Sequence, residues 1–347
     1  MKKHTYILLL LAFTTSCDED EALNSFGPNT FVYTLATSFD DHIGYPELFT
    51  FDIDNGSSKN ISVNSTTLYN YQVIHSQIAF VDEYGVYLSN PKNGNLSKLT
   101  SLSSTSMNGT AFQLSGIDVS RDLKRVAYSN YDDIFIKIIE SSVIQNITLD
   151  LEGDFVLPEW SPNGTKVLIR NRVSIKREDY NISTSNFKVY VLSSNELLDV
   201  EMFDDTVSPG YAVWHPDENS VIYEQYSAIF QYNLKTQILE QLTPDGVFGT
   251  NPSCSPDGQY VSFSKTNDPD QSSDTNINAL AILNIKTKEI TDVNNLNSHS
   301  MNWHDNSQDL IYAVEDNIYL YNTLTGVNEK IVETGESQTI VNVEWLN

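Results

Sequence analysis

The side chains that could do chemistry here are a few histidines, one cluster of aspartates and two cysteines. Six histidines occur, at positions 4, 42, 75, 215, 299 and 304. His215 and His304 each directly follow a tryptophan, in the similar contexts Trp-His-Pro-Asp and Trp-His-Asp-Asn. A zinc-type site needs three or four ligands at bonding distance. Two histidines at the same step of a repeat do not converge on one ion, so the expectation for both is turn capping and no metal. The stretch NDPDQSSD brings Asp268, Asp270 and Asp274 close together, and Ca2+ takes clustered oxygens of this kind. The stretch lacks the glycine and the terminal glutamate of an EF-hand loop, so it reads as a solvated loop. No cofactor is expected; Ca2+ is the one ion this chemistry would admit. No Gly-x-Ser-x-Gly, His-Glu-x-x-His, P-loop or dinucleotide fingerprint occurs. The cysteines are Cys17 and Cys254, and Cys254 reads as a small buried thiol.

The charge balance narrows the partners. Lys and Arg total 20 against 46 for Asp and Glu, a net charge of −26 over 347 residues. A phosphate backbone needs a cationic surface, which excludes nucleic acid. Docking on anionic lipid by charge is excluded on the same ground. Nineteen tyrosines and 15 phenylalanines favour a pleated, half-buried surface, hence strands rather than helices.

The elements that must position these residues show themselves as a repeat. Pro-Glu-Trp160-Ser-Pro-Asn-Gly leads into Lys166-Val-Leu-Ile, and Pro-Ser-Cys254-Ser-Pro-Asp-Gly leads into Tyr260-Val-Ser-Phe. Val213-Trp214-His-Pro-Asp and Asn302-Trp303-His-Asp-Asn lead into similar runs, as does Asp118-Val119-Ser-Arg-Asp. Pivots fall at 71, 119, 160, 214, 254, 303 and 345. Spacings of roughly 40–54 residues with short alternating strands are the signature of propeller blades. Pro-Asn-Gly and Pro-Asp-Gly between apolar runs are hairpin turns, because glycine accepts positive φ and Asn or Asp tolerates the left-handed region. The motifs resemble the WD-type repeats of TolB-like β-propellers over about residues 30–347.

The ends complete one another. Phe31-Val-Tyr33 reads as a second strand and FTFDIDNG, from Phe49, as a third strand and turn, with no first strand before them. IVNVEW, from Ile340, is a first strand with almost nothing after it. Pairing the two removes exposed strand edges. The expected fold is therefore all-β: a seven-bladed β-propeller closed by the C-terminal strand, or six-bladed if the Tyr71 copy is not a blade.

Residues 1–16 carry Lys2, Lys3 and a short apolar run from Ile7 to Phe13, the pattern of a secretory signal too short to span a bilayer. Cys17, directly after it, resembles the acylated cysteine of bacterial lipoproteins. Asp18, Glu19, Asp20 and Glu21 are similar to the acidic signal that exports some Gram-negative lipoproteins to the cell surface. The resemblance implies a signal peptide over 1–16, a lipidated acidic tether over 17–29, and a propeller over 30–347. It implies an outer-membrane lipoprotein, exposed at the surface, with the lipid as its only membrane contact. The expected state is a monomer. Asp205-Thr206-Val207 also resembles a bacterial O-glycosylation acceptor.

Turns between strands one and two, and between three and four, are short and share a face. The opposite face carries segments of variable length, including 36–46 with Asp40, Asp41 and His42, 171–187 with Lys176, Arg177 and Tyr180, and 265–276 with the three aspartates. Binding tends to sit on variable loops of a rigid scaffold. The expected function is a non-catalytic, lipid-anchored envelope propeller that binds a protein or glycan partner through this face. The alternative is a polysaccharide lyase or hydrolase working at the channel mouth.

Overall fold

A computed structural model describes residues 29–346, apart from 40–41, 44–46, 62–70, 75, 83–84, 91–94, 102–115, 131, 150, 177–180, 267–277 and 336–337. Every regular element in it is a strand, and the strands form seven antiparallel sheets. Blades 1 to 6 run in order along the chain. Their innermost strands are Tyr71–Ile74, Ile117–Val119, Asp154–Trp160, Ala212–Trp214, Phe248–Cys254 and Ser298–Trp303. Each is followed outward by three more strands of the same blade.

Blade 7 is the composite one. Gln338–Trp345 supplies its innermost strand and pairs with Thr30–Phe39, which pairs in turn with Glu47–Asp52. Phe31 stands opposite Trp345 and Thr37 opposite Gln338. The ring is closed by its two ends, and there are seven blades.

The hydrophobic core is not one mass. It is seven clusters, each lying in the seam between two adjacent blades. One joins Ala127, Ile134 and Ile136 of blade 2 to Phe155, Trp160 and Ile169 of blade 3. Another joins Leu168 and Phe187 of blade 3 to Trp214, Tyr223 and Phe230 of blade 4. This follows from the strand pattern: strands with long apolar runs are covered on both faces, so every sheet must be sandwiched. Trp160, Trp214, Trp303 and Trp345 are all buried, as each ends an innermost strand facing a seam.

The turn chemistry is also as the repeat demands. Trp160 pairs with Val167, Trp214 with Val221, Cys254 with Val261 and Trp303 with Leu310, each seven residues on. In blades 3 and 5 the serine after the pivot accepts the N–H that reopens the hairpin, at 3.0 Å in both. Gly164 and Gly258 follow with φ of 68° and 71°. Blade 1 departs from the expected register. Its first hairpin has only a two-residue turn, with Val73 opposite Ile78. The pivot position is therefore Val73, and the Tyr71 assignment is two residues early because the Pro-Asp-Gly turn is absent there.

Candidate functional site

The innermost strands enclose a central channel with a cavity of about 770 Å3. A smaller one of about 320 Å3 lies beside it, sharing Arg121, Cys254 and Asn302 among its walls. Strand alternation turns the pivot into the seam and the residue before it towards the channel. Those residues are Gln72, Asp118, Glu159, Val213, Ser253, Asn302 and Glu344 in ring order. Five of the seven carry a carboxyl or amide.

These side chains do a common job. Gln72 Oε1 accepts the Val119 N–H at 3.1 Å, and Asn302 Oδ1 accepts that of Trp345 at 3.0 Å. Glu344 Oε1 accepts the Val73 N–H at 3.2 Å. Asp118 accepts the Trp160 N–H, and Glu159 that of Trp214. Each thus caps the pivot of the next blade. The indole N–H groups run the same way: Trp160 donates to the carbonyl of Asp118, Trp214 to that of Glu159 and Trp345 to that of Asn302. Further out, Arg170 donates to the carbonyls of Pro209 and Gly210 and lies over the Phe187 ring.

Three carboxyls in this enclosed ring cannot keep their usual acidity. Burial pushes Asp118 up to about 7 and Glu159 up to about 8, the second helped by repulsion from Asp118. Burial and the same Asp118 charge push Glu344 up to about 8. Tyr71, which projects at the channel wall and accepts from Asn342 Nδ2 at 3.1 Å, is pushed up by burial and by Glu344. Near neutral pH the channel therefore offers carboxyl and amide groups that both donate and accept, with reduced net charge.

The mouth on the long-loop side is shaped by bulges. Registers slip between Val156 and Glu159 and between Thr250 and Ser253. Leu157 and Asn251, inside these slips, have φ of 53° and 52°, and each precedes a proline, which an inner strand admits at a bulge. The bulges re-aim side chains: Leu157 and Val341 stand exposed on the cavity rim. Gly116 is required opposite Leu157, since a Cβ there would meet the Leu157 Cα at 2.8 Å.

His215 and His304 cap turns, as expected from sequence. His215 Nδ1 accepts the Asp217 N–H and His304 Nδ1 that of Asn306, each at 3.1 Å. His215 Nε2 meets the Gly258 carbonyl at 3.1 Å, a contact between blades. The His304 ring stands edge-on to Trp345 at 4.6 Å. The two histidines serve separate turns. Among the described residues, no three His, Cys, Asp or Glu side chains are placed to hold a metal ion. Cys254 is half-buried at the channel wall rather than fully buried. Its thiol is pushed up to about 12 by burial and then by Asp257 and Asp217, so it stays protonated.

The expected loop 171–187 is a correction. Strands Lys166–Lys176 and Asn181–Val191 pair without a break to Lys176 and Asn181, so blade 3 projects a long hairpin. β-Branched Val173, Ile175, Ile182 and Thr184 explain it. Lys176 ends the first of these strands, and His42 opens the short strand His42–Ile43. Asp40, Asp41, Arg177, Tyr180, Asp268, Asp270, Asp274, Cys17 and the acidic run 18–21 lie outside the described residues. Thr206 is exposed in the link before blade 4 and donates to Asp204 Oδ1 at 2.6 Å. Among the described residues no helix is long and apolar enough to cross a membrane.

The acceptor ring was not anticipated from sequence, although its signal was present. The residue before the pivot is Asp118, Glu159, Ser253, Asn302 or Glu344 in five copies, polar where a buried strand would be expected to continue apolar.

No family model and no curated protein matches this chain. Solved structures do. An oligogalacturonate lyase in complex with manganese aligns at 11% identity over 89% of this chain and 88% of that one, with a TM-score of 0.60. A puromycin-hydrolyzing peptidase of Mycobacterium tuberculosis aligns at 12% over 91% of this chain but only 55% of its own length, with a TM-score of 0.59. TolB from Acinetobacter baumannii aligns at 13% over 92% and 83%, with a TM-score of 0.47. The fold is a seven-bladed β-propeller. At these identities the likeness is one of fold, and fold does not carry function with it.

Proposed function

We propose that this chain is a non-catalytic propeller of the bacterial cell envelope, anchored by lipid on Cys17, that binds a protein or glycan partner through its long-loop face. In this reading residues 1–16 are removed, 17–29 form the tether and 30–347 the binding body. The observation that supports it most is the use of the channel carboxyls. Asp118, Glu159 and Glu344 are each spent on the neighbouring blade's backbone N–H, and Gln72 and Asn302 do the same job with amides. A position that accepts an amide in some blades needs an acceptor, not an ionisable group. On the long-loop face, by contrast, blade 3 extends a long hairpin where blades 1, 2, 4 and 6 turn in two residues.

One observation favours an enzyme: carboxyls with acidity near neutrality line a cavity large enough for a small substrate, and such groups mark many catalytic sites. The lyase neighbour supplies the substrate to try. Incubation of the mature protein with oligogalacturonate, with and without Mn2+, should leave the oligosaccharide profile unchanged; chain shortening that Glu159→Gln abolishes would establish the enzyme. The binding reading is tested by capture from detergent-solubilised envelope with the mature protein as bait. A partner retained specifically, and lost when long-loop-face residues are changed, is expected. Cys17→Ser should release the protein from membranes; retention would remove lipid as the anchor.

A further inference from the structure

Blade 4 meets solvent on the long-loop face with two large rings. Phe203, in the link that enters the blade, is 59% exposed, and Tyr226, in the hairpin between Ser220–Gln225 and Ala228–Asn233, is 52% exposed. The two meet edge to face with centroids 6.3 Å apart. One side of Phe203 stacks on Phe230 at 5.0 Å, and Phe230 stacks on Tyr223 at 5.6 Å. Phe203 is thus the outermost of three stacked rings, braced from below with much of its surface in water.

The chain accepts a cost to present these rings. Tyr226 and Ser227 have φ of 54° and 55°, a two-residue turn that Asn-Gly would make without strain. A bulky side chain is strained in that region. The Tyr226 hydroxyl is then fixed by donating to Asp204 Oδ2 at 2.6 Å. Asp204 Oδ1 accepts the Thr206 N–H at 2.8 Å and hydroxyl at 2.6 Å, and these donors hold the carboxyl below its usual range. Glu201 and Asp205 lie in the same link; burial first, and then these two carboxylates, push the Tyr223 hydroxyl up. Of the charges nearby, Lys188 is paired with Asp199.

Ring faces carry the negative side of the aromatic quadrupole and attract cations. Here the Asp204 carboxylate holds the Tyr226 hydroxyl, and Glu201 and Asp205 flank Phe203 and Asp204 in the same link, on a chain of net charge −26. A neutral sugar could lie on the Phe203 ring but would gain nothing from those anions, and an acidic sugar would be repelled. We infer that the Phe203–Tyr226 platform docks a lysine or arginine side chain of a basic protein segment. The inference rests on the reading that the long-loop face binds a partner, and it names that partner's chemistry.

The test is fluorescence anisotropy of a labelled tetra-arginine peptide with the mature protein at physiological salt. Tetra-glutamate and maltotetraose serve as comparisons. General attraction to an acidic protein is separated by Phe203→Ala, which changes no charge. Phe203→Ala and Tyr226→Gly should each weaken tetra-arginine binding about fivefold. Tyr226→Gly should keep or raise the thermal midpoint, because glycine relieves the turn. Unchanged affinity in both variants overturns the inference, as does saturable maltotetraose binding that Phe203→Ala abolishes. The two readings also fail differently. Partner capture from envelope that survives both variants but is lost on altering another long-loop-face segment overturns the platform and leaves the face. Capture lost only on altering the short-turn face overturns both.

Discussion

The inner ring and the long-loop face of this propeller are built from the same repeat and obey opposite rules. In the inner ring, position decides chemistry. The residue before the pivot is an acceptor in five blades, the pivot is buried in five, and the next residue caps a turn in five. The same function is filled by Gln72, Asp118, Glu159, Asn302 or Glu344, so identity matters less than the ability to accept an N–H. On the long-loop face the blades differ in reach: blades 1, 2, 4 and 6 close their second hairpin in two residues, and blade 3 does not. Blade 3 projects a hairpin eleven residues to a strand, whereas blade 4 turns in two residues and presents Tyr226. Repetition of residue type marks what the fold needs; in the proposed reading, the side chains that differ between blades on this face are those that meet a partner.

The largest effect that tests this contrast is the loss of closure. Deleting residues 338–347 removes Trp345, 3% exposed, and every pair that Gln338–Trp345 makes with Thr30–Phe39. Trp345 alone is worth roughly 3–5 kcal/mol, and the core shared by blades 6 and 7 loses Ile340 and Val343 as well. Urea unfolding should show the cooperative transition lost or its midpoint greatly lowered; an unchanged midpoint would separate the closing strand from the ring's stability.

Next comes the removal of a cap. Asp118→Ala leaves the Trp160 N–H without its acceptor and should cost about 1–3 kcal/mol, while Asp118→Asn should cost little near neutral pH. Equal losses in thermal midpoint for the two variants would contradict the acceptor account.

A smaller effect is pH dependence. The folded state raises Asp118, Glu159 and Glu344 to about 7, 8 and 8, well above a free carboxyl near 4. Folding therefore favours their neutral forms. Their contribution is full below about pH 4 and is lost as pH rises through 7 to 8. The thermal midpoint should fall from pH 5 to pH 9, and Glu159→Gln or Glu344→Gln should flatten that fall. A midpoint that rises over this range would reverse the sign.

Blade number and closure were legible because they rest on local chemistry: turn residues that fix φ, and alternation that fixes faces. Legible too were His215 and His304 as turn caps, since a repeat position explains them without a ligand. The Tyr71 register failed because the short turn after Ile74 carries no proline or glycine to mark it. The 171–187 hairpin was missed because charged Lys176, Arg177 and Glu178 interrupt the β-branched run. The acceptor ring went unread because its bonds join residues 42 to 55 positions apart, and 271 apart across the closure, so only the closed ring brings each side chain to its neighbour's N–H. The Phe203–Tyr226 platform is likewise a contact between a link and a hairpin tip.

In the proposed reading the channel carboxyls serve the fold and the long-loop face serves the partner. It is tested most directly by capture from solubilised envelope with the triple variant Asp118→Asn, Glu159→Gln, Glu344→Gln as bait. The account predicts capture equal to that of the unaltered protein, together with a thermal midpoint at pH 8.5 raised above it. A variant that folds with that raised midpoint yet captures nothing would place the function in the channel and contradict the claim.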